Sequence, residues 1–145
     1  MNNNKECVIY LNSKGTKNSV AKQRRECINF CVREGLEPVE VFADTVNGDN
    51  YYEHEGTGFK RMVSFLKERP DIRTVLCTDI KRLAPDYLSY QALVNVFLPK
   101  NTKYIFTEHG ETEGIIQLIT EAKNYLEAVI HKYAETISKL KSKGE

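Results

Sequence analysis

Short apolar runs alternate with amphipathic stretches along most of this chain. Residues 7–11 (Cys-Val-Ile-Tyr-Leu), 39–43, 72–78 and 104–107 are brief runs rich in Val, Ile, Phe and Tyr, and each predicts a strand. The run at 72–78 is nearly unbroken in apolar character, as a strand buried on both faces should be. Between them the period changes. Residues 19–34 place Val20, Cys27, Phe30 and Cys31 on one helical face, with Ser19 as N-cap and Gly35 as stop. Residues 57–69 repeat the pattern with Phe59, Met62, Val63, Phe65 and Leu66 and end before Pro70. A third helix is expected from Pro85, at its first turn, to about residue 98. Strands and helices in this rhythm predict an α/β fold: a mostly parallel sheet of four to five strands with helices on both faces.

Two segments break the rhythm. Residues 44–56, rich in Asp, Asn, Gly and Tyr, form a connection longer than a structural loop requires, which points to function. Residues 113–141 form one uninterrupted helical pattern, with no Gly or Pro after Gly114 and apolar residues from Ile115 to Leu140 at helical spacing. At 1.5 Å per residue such a helix is ~40 Å long, and a domain of this size is ~30 Å across. The stripe therefore outruns the domain and needs a partner. The expected division is an α/β domain over residues 1–112 and an oligomerisation helix over 113–145. The expected partner is a second copy, as a homodimer or higher oligomer through residues 113–141. A helix folded back over its own sheet is the alternative.

Composition narrows the class. The 145 residues suffice for one domain, and a formal net charge of +1 gives no whole-chain nucleic-acid signature, so any such binding must be local. No membrane span and no signal-peptide core is visible, which predicts a cytoplasmic protein, nucleoid-associated if it is DNA-bound. Cys7, Cys27, Cys31 and Cys77 fall in predicted strands or on one helix face, and His54, His109 and His131 lack ligand spacing. No metal and no cofactor is expected.

Candidate chemistry concentrates in Tyr10-Leu-Asn-Ser-Lys-Gly-Thr-Lys-Asn-Ser-Val-Ala-Lys-Gln-Arg-Arg25. Lys14, Lys17, Lys22, Arg24 and Arg25 stand here with no acid before Glu26. A cationic loop between a strand end and a helix start suits a phosphate; a solvated turn is the plain alternative.

The order of landmarks resembles the N-terminal catalytic domain of the serine recombinases (resolvases and invertases), a resolvase-like elaboration of the flavodoxin-like framework. That family opens with a strand Tyr-x-Arg-Val-Ser and, nine residues after the Ser, a Gln. Gln23 and Tyr10 fit this frame, with Asn12 at the Arg position and Lys14 at the nucleophilic Ser position. Asp44-Thr-Val-Asn-Gly48 resembles Asp-x-x-x-Ser-Gly, and Gly58-Phe59 resembles the end of Arg-Pro-Gly-Phe, with Gly56 in place of the Arg. Ile80-Lys-Arg-Leu83 resembles Leu-Asp-Arg-Leu, with Lys81 for the Asp, and Pro85 replaces a second Arg.

The resemblance implies a domain of a site-specific DNA recombinase whose catalytic set is degenerate at Asn12, Lys14, Gly56, Lys81 and Pro85, with Arg82 retained. Losing the nucleophile removes the covalent route, and each lost donor costs ~10²–10³ in rate. The expectation is a pseudo-enzyme, an accessory or regulatory oligomer associated with DNA and able to pair with an active recombinase. Lys14, Lys17, Lys22, Arg24 and Arg82 are the expected DNA- or phosphate-binding residues, with Lys81 beside them. Two alternatives stand: an active recombinase domain using Ser13, and a phosphate or nucleotide binder on the same framework.

Overall fold

The computed structural model describes residues 5–13, 20–44 and 57–143. Its elements run β1 (Glu6–Asn12), α1 (Val20–Glu34), β2 (Glu37–Asp44), α2 (Thr57–Glu68), β3 (Thr74–Cys77), α3 (Ile80–Leu83), α4 (Tyr87–Ala92), β4 (Lys103–Phe106) and α5 (Glu111–Lys143). The four strands are all parallel, in the order β2-β1-β3-β4.

β1 is central and covered on both faces, so its apolar run needs no polar alternation. Cys7, Ile9 and Leu11 turn to one side and pack with Leu76 and with Cys27 and Cys31 of α1. Val8 and Tyr10 turn to the other, where Phe42, Phe59, Met62, Leu83, Leu93 and Leu118 close a larger core. The period-two alternation of β1 thus feeds two separate cores. All four cysteines are free and buried.

Helix ends follow local chemistry. Gly35, at φ 68°, ends α1, and the Leu36 N–H returns to the Cys31 carbonyl at 2.9 Å. That left-handed residue followed by a six-to-one bond is the Schellman closure, and it favours Gly because no Cβ opposes the turn.

The third helix differs from expectation. Instead of one helix from Pro85 there are two short ones, each with an Asp cap: Asp79 accepts from the Lys81 N–H, and Asp86 accepts from the Ser89 N–H. Ala84 is extended between them. Pro85 lies just outside α4, because the carboxylate at 86 takes the cap position. α4 continues into a π-helical turn, Leu93–Phe97.

Among the described residues, the start of α5 is seated on the body by Gly114, Ile115 and Leu118. A Cβ at Gly114 would lie 2.6 Å from Cε1 of His109, so a larger residue there would displace the imidazole. At 33 residues the helix is ~50 Å long. Tyr125, Leu126, Ile130, Tyr133, Ile137 and Leu140 are all more than half exposed. Among the described residues, no helix is long and apolar enough to cross a membrane.

Candidate active site

In this strand order α1 leaves β1 on one face and α3 leaves β3 on the other. A parallel sheet opens a crevice at such a reversal, at the carboxyl ends of the two strands. Asn12 and Ser13 end β1 there, and Asp79 and Arg82 follow β3.

Asn12 is almost fully buried and held from three sides. The Gln23 amide reads its backbone in both directions: Oε1 accepts the Asn12 N–H at 3.1 Å, and Nε2 donates to the Asn12 carbonyl at 2.9 Å. The same carbonyl accepts from Nη1 of Arg82 at 3.2 Å. The Asn12 side chain donates to the Tyr10 hydroxyl at 3.3 Å.

Tyr10 donates in turn to Oδ2 of Asp44 at 2.6 Å. Asp44 also receives the N–H groups of Gly58 and Phe59, each at 2.9 Å, so one carboxylate anchors the start of α2. Gly58 permits this approach, because a Cβ there would collide with the Ala43 carbonyl oxygen. Burial, then the Asp44 carboxylate, drives the Tyr10 hydroxyl far above its ordinary pKa. It is a structural donor, not a proton source near neutrality.

Arg82 is only 5% exposed. Besides the Asn12 carbonyl it binds Oδ2 of Asp79 through Nε at 3.2 Å. Its neighbour Lys81 goes elsewhere, pairing with Glu121 of α5 at 2.8 Å. One helical turn therefore sends one cation into the crevice and the other outward. Lys22 and Arg24 are exposed on α1, and Ser13, next to Asn12, is part-buried, with its N–H on the Asp44 carbonyl at 3.2 Å. Lys14, Lys17 and Gly56, together with most of the 44–56 loop, lie outside the described residues.

Three side chains at this edge escaped the sequence reading. His109 accepts the Ile80 N–H on Nε2 at 3.2 Å, fixing the start of α3 from 29 positions away. Glu108 and Glu26 add negative charge beside Asp79, and burial followed by the Asp79 and Glu26 carboxylates raises the Glu108 pKa. No spacing signals such contacts, because each residue comes from a different element. Among the described residues, no cluster of His, Cys, Asp and Glu could hold a metal ion.

A model of the family described as "Resolvase, N terminal domain" matches residues 11–144. The chain belongs to that family. Solved structures agree in fold. The N-terminal catalytic domain of TP901-1 integrase superposes with a TM-score of 0.64 at 19% identity, covering 88% of this chain and 99% of that one. The C-terminal catalytic domain of ISC1926 TnpA, an IS607-like serine recombinase, superposes at 0.58 with 22% identity, covering 91% and 85%. No curated protein matches the sequence. Among the described residues of this resolvase-family domain, the crevice between β1 and β3 holds the buried Arg82, the buried Asn12 and a carboxylate-rich rim.

Proposed function

We propose that this domain is a recombinase relative without cleavage chemistry, an oligomeric accessory or regulatory factor that associates with DNA. The observation that carries the reading is the bonding of Asn12 and Arg82. At the position where the resemblance implies an Arg, a buried Asn is engaged with Tyr10. The one retained Arg is spent on a main-chain carbonyl and on Asp79. A phosphoryl transition state needs preorganised cations free to meet it, and this arrangement supplies none from residues 12 or 82. Lys14 at the nucleophile position completes the reading from sequence alone. Self-association through α5, as a homodimer or higher oligomer, is part of it, and so is pairing with an active recombinase.

The decisive experiment is incubation with supercoiled DNA carrying a related element's crossover site, followed by denaturing electrophoresis. The expected result is no covalent protein–DNA adduct. An adduct would overturn the pseudo-enzyme reading. One observation favours the rival, cleavage through Ser13: the Arg82 guanidinium ends at the carbonyl of the residue immediately before it. An adduct abolished by Ser13→Ala would establish that rival.

The phosphate- or nucleotide-binder reading has weaker support. A groove of about 570 Å³ between α2 and α4 is walled mainly by apolar side chains such as Phe59, Val63, Leu93 and Phe97, with Lys60 its one cation among the described residues.

A further inference from the structure

A second recess lies at the opposite end of the sheet from the crevice, where β3 and β4 begin. The Lys103 N–H donates to the Arg73 carbonyl at 2.6 Å and ties the two strand starts together. Around them the end of α2, the π-helical turn and the loop 98–102 enclose a pocket of about 430 Å³.

Its charge is one-sided. Lys67, Arg73 and Lys100 line the pocket, and among the described residues no carboxylate does. Asp71 stands two positions before Arg73, but Arg69 holds it in a two-bond fork, Nε to Oδ1 at 3.1 Å and Nη2 to Oδ2 at 2.9 Å. Among the described residues, none of the three lining cations is in an ion pair. Arg73 donates from Nε to the Pro70 carbonyl at 3.2 Å, a bond that orients the guanidinium without neutralising it. Lys67 suits the end of α2 in any case. Arg73 lies in no helix and has no such role.

The wall carries an aromatic ring as well. The π-helical turn leaves Val96 72% and Phe97 55% exposed, and such turns recur at functional sites. Beyond it Asn101 takes a left-handed conformation at φ 71°, beside a bond from the Thr102 hydroxyl to the Pro99 carbonyl at 2.5 Å. An exposed ring next to a planar guanidinium and two ammonium groups matches a flat aromatic group joined to a phosphate.

We infer that this pocket binds a nucleoside phosphate, with the base stacked on Phe97 and the phosphate held by Arg73, Lys67 and Lys100. A free nucleotide and a nucleotide within single-stranded DNA present the same base and the same anion. Such a site is separate from the crevice and independent of the cleavage question.

The chain contains no Trp, so Phe97→Trp places a single reporter on the pocket wall. Its emission is titrated with thymidine monophosphate in one arm and with a short oligothymidylate in the other. Saturable quenching in either arm is the expected result, and the arm that saturates at lower concentration identifies the source. Lys100→Glu in the same background should weaken binding about tenfold. Oligonucleotide affinity should fall with salt at a logarithmic slope of about −2, from three phosphate contacts at ~0.7 each. No quenching in either arm overturns the inference. So does binding that Lys100→Glu leaves unchanged. An oligoglutamate peptide that displaces the ligand equally well overturns it too, since charge alone would then be read. Amide shifts at residues 95–102 of the wild-type protein repeat the measurement without a substitution at the wall. DNA-induced shifts confined to Ser13 and Thr78 would move the binding to the crevice and overturn the pocket.

Discussion

The guanidinium of Arg82 ends at the main-chain carbonyl of Asn12, 3.2 Å away and 70 positions earlier in the chain. The contact ties the turn after β3 to the end of β1 across the crevice where this fold binds ligands. It makes Arg82 a bracket of the crevice as well as a charge within it.

Removing that bracket should destabilise the domain. Arg82→Met leaves Asp79 without its ion pair and the Asn12 carbonyl with one donor fewer, at a cost of about 2–3 kcal/mol, because Asp79 retains some contact with water. Arg82→Lys should cost less, since an ammonium restores charge without the fork geometry. Urea unfolding monitored by circular dichroism gives both values. A midpoint unchanged in Arg82→Met would mean that the guanidinium is only a surface charge.

Asp44 holds three donors, from Tyr10, Gly58 and Phe59. Asp44→Ala should leave two backbone N–H groups at the start of α2 unpaired and cost about 2–4 kcal/mol. Tyr10→Phe removes one donor and the acceptor used by Asn12, and should cost about 1–2 kcal/mol. Hydrogen exchange would separate the two, with loss of protection at Gly58 and Phe59 confined to the Asp44 variant.

Burial raises the Cys7 and Cys27 thiols to about 12. The Cys7 and Cys31 sulfurs share a hydrogen bond at 3.9 Å and form no disulfide. At pH 8 the reactive thiolate fraction is therefore negligible in the folded state. An aromatic disulfide reagent should titrate no thiol in native protein and four after addition of denaturant. Rapid labelling without denaturant would show that the α1 face opens readily.

The raised Glu108 carboxyl sets a small pH dependence. The folded state keeps that proton to higher pH than the unfolded chain does. Its contribution to stability is thus present at low pH and lost as pH rises from the ordinary glutamate range, ~4.3, through the folded value. Glu108→Gln should be more stable than wild type at pH 7, and the difference should vanish toward pH 4. Exposure of the carboxyl keeps the effect small. Paired urea titrations at the two pH values check it, and a difference that grows on acidification would reverse the assignment.

Much of the architecture was legible in the chain, because strand and helix periods are local properties. The β-branched run at 7–11, the apolar face of residues 57–69 and the uninterrupted helix toward the C-terminus each carry their own signal. Capping was misread at one place: Pro85 and Asp86 are both start signals, and the carboxylate took the cap position in the folded chain. The direction of neighbouring side chains was not legible at all. Lys81 and Arg82 are consecutive cations in the sequence, yet one pairs with Glu121 and the other is buried against Asn12. Spacing specifies which residues share a helix face; it says nothing of which distant element that face meets. So the chain's own pattern determined the layered α/β framework and a helix that outruns it. Tertiary packing alone decided that Gln23, Arg82 and Tyr10 close around Asn12 and that His109 caps α3. Those contacts join residues from separate elements, and burial makes an unpaired polar group there too costly to leave unmade.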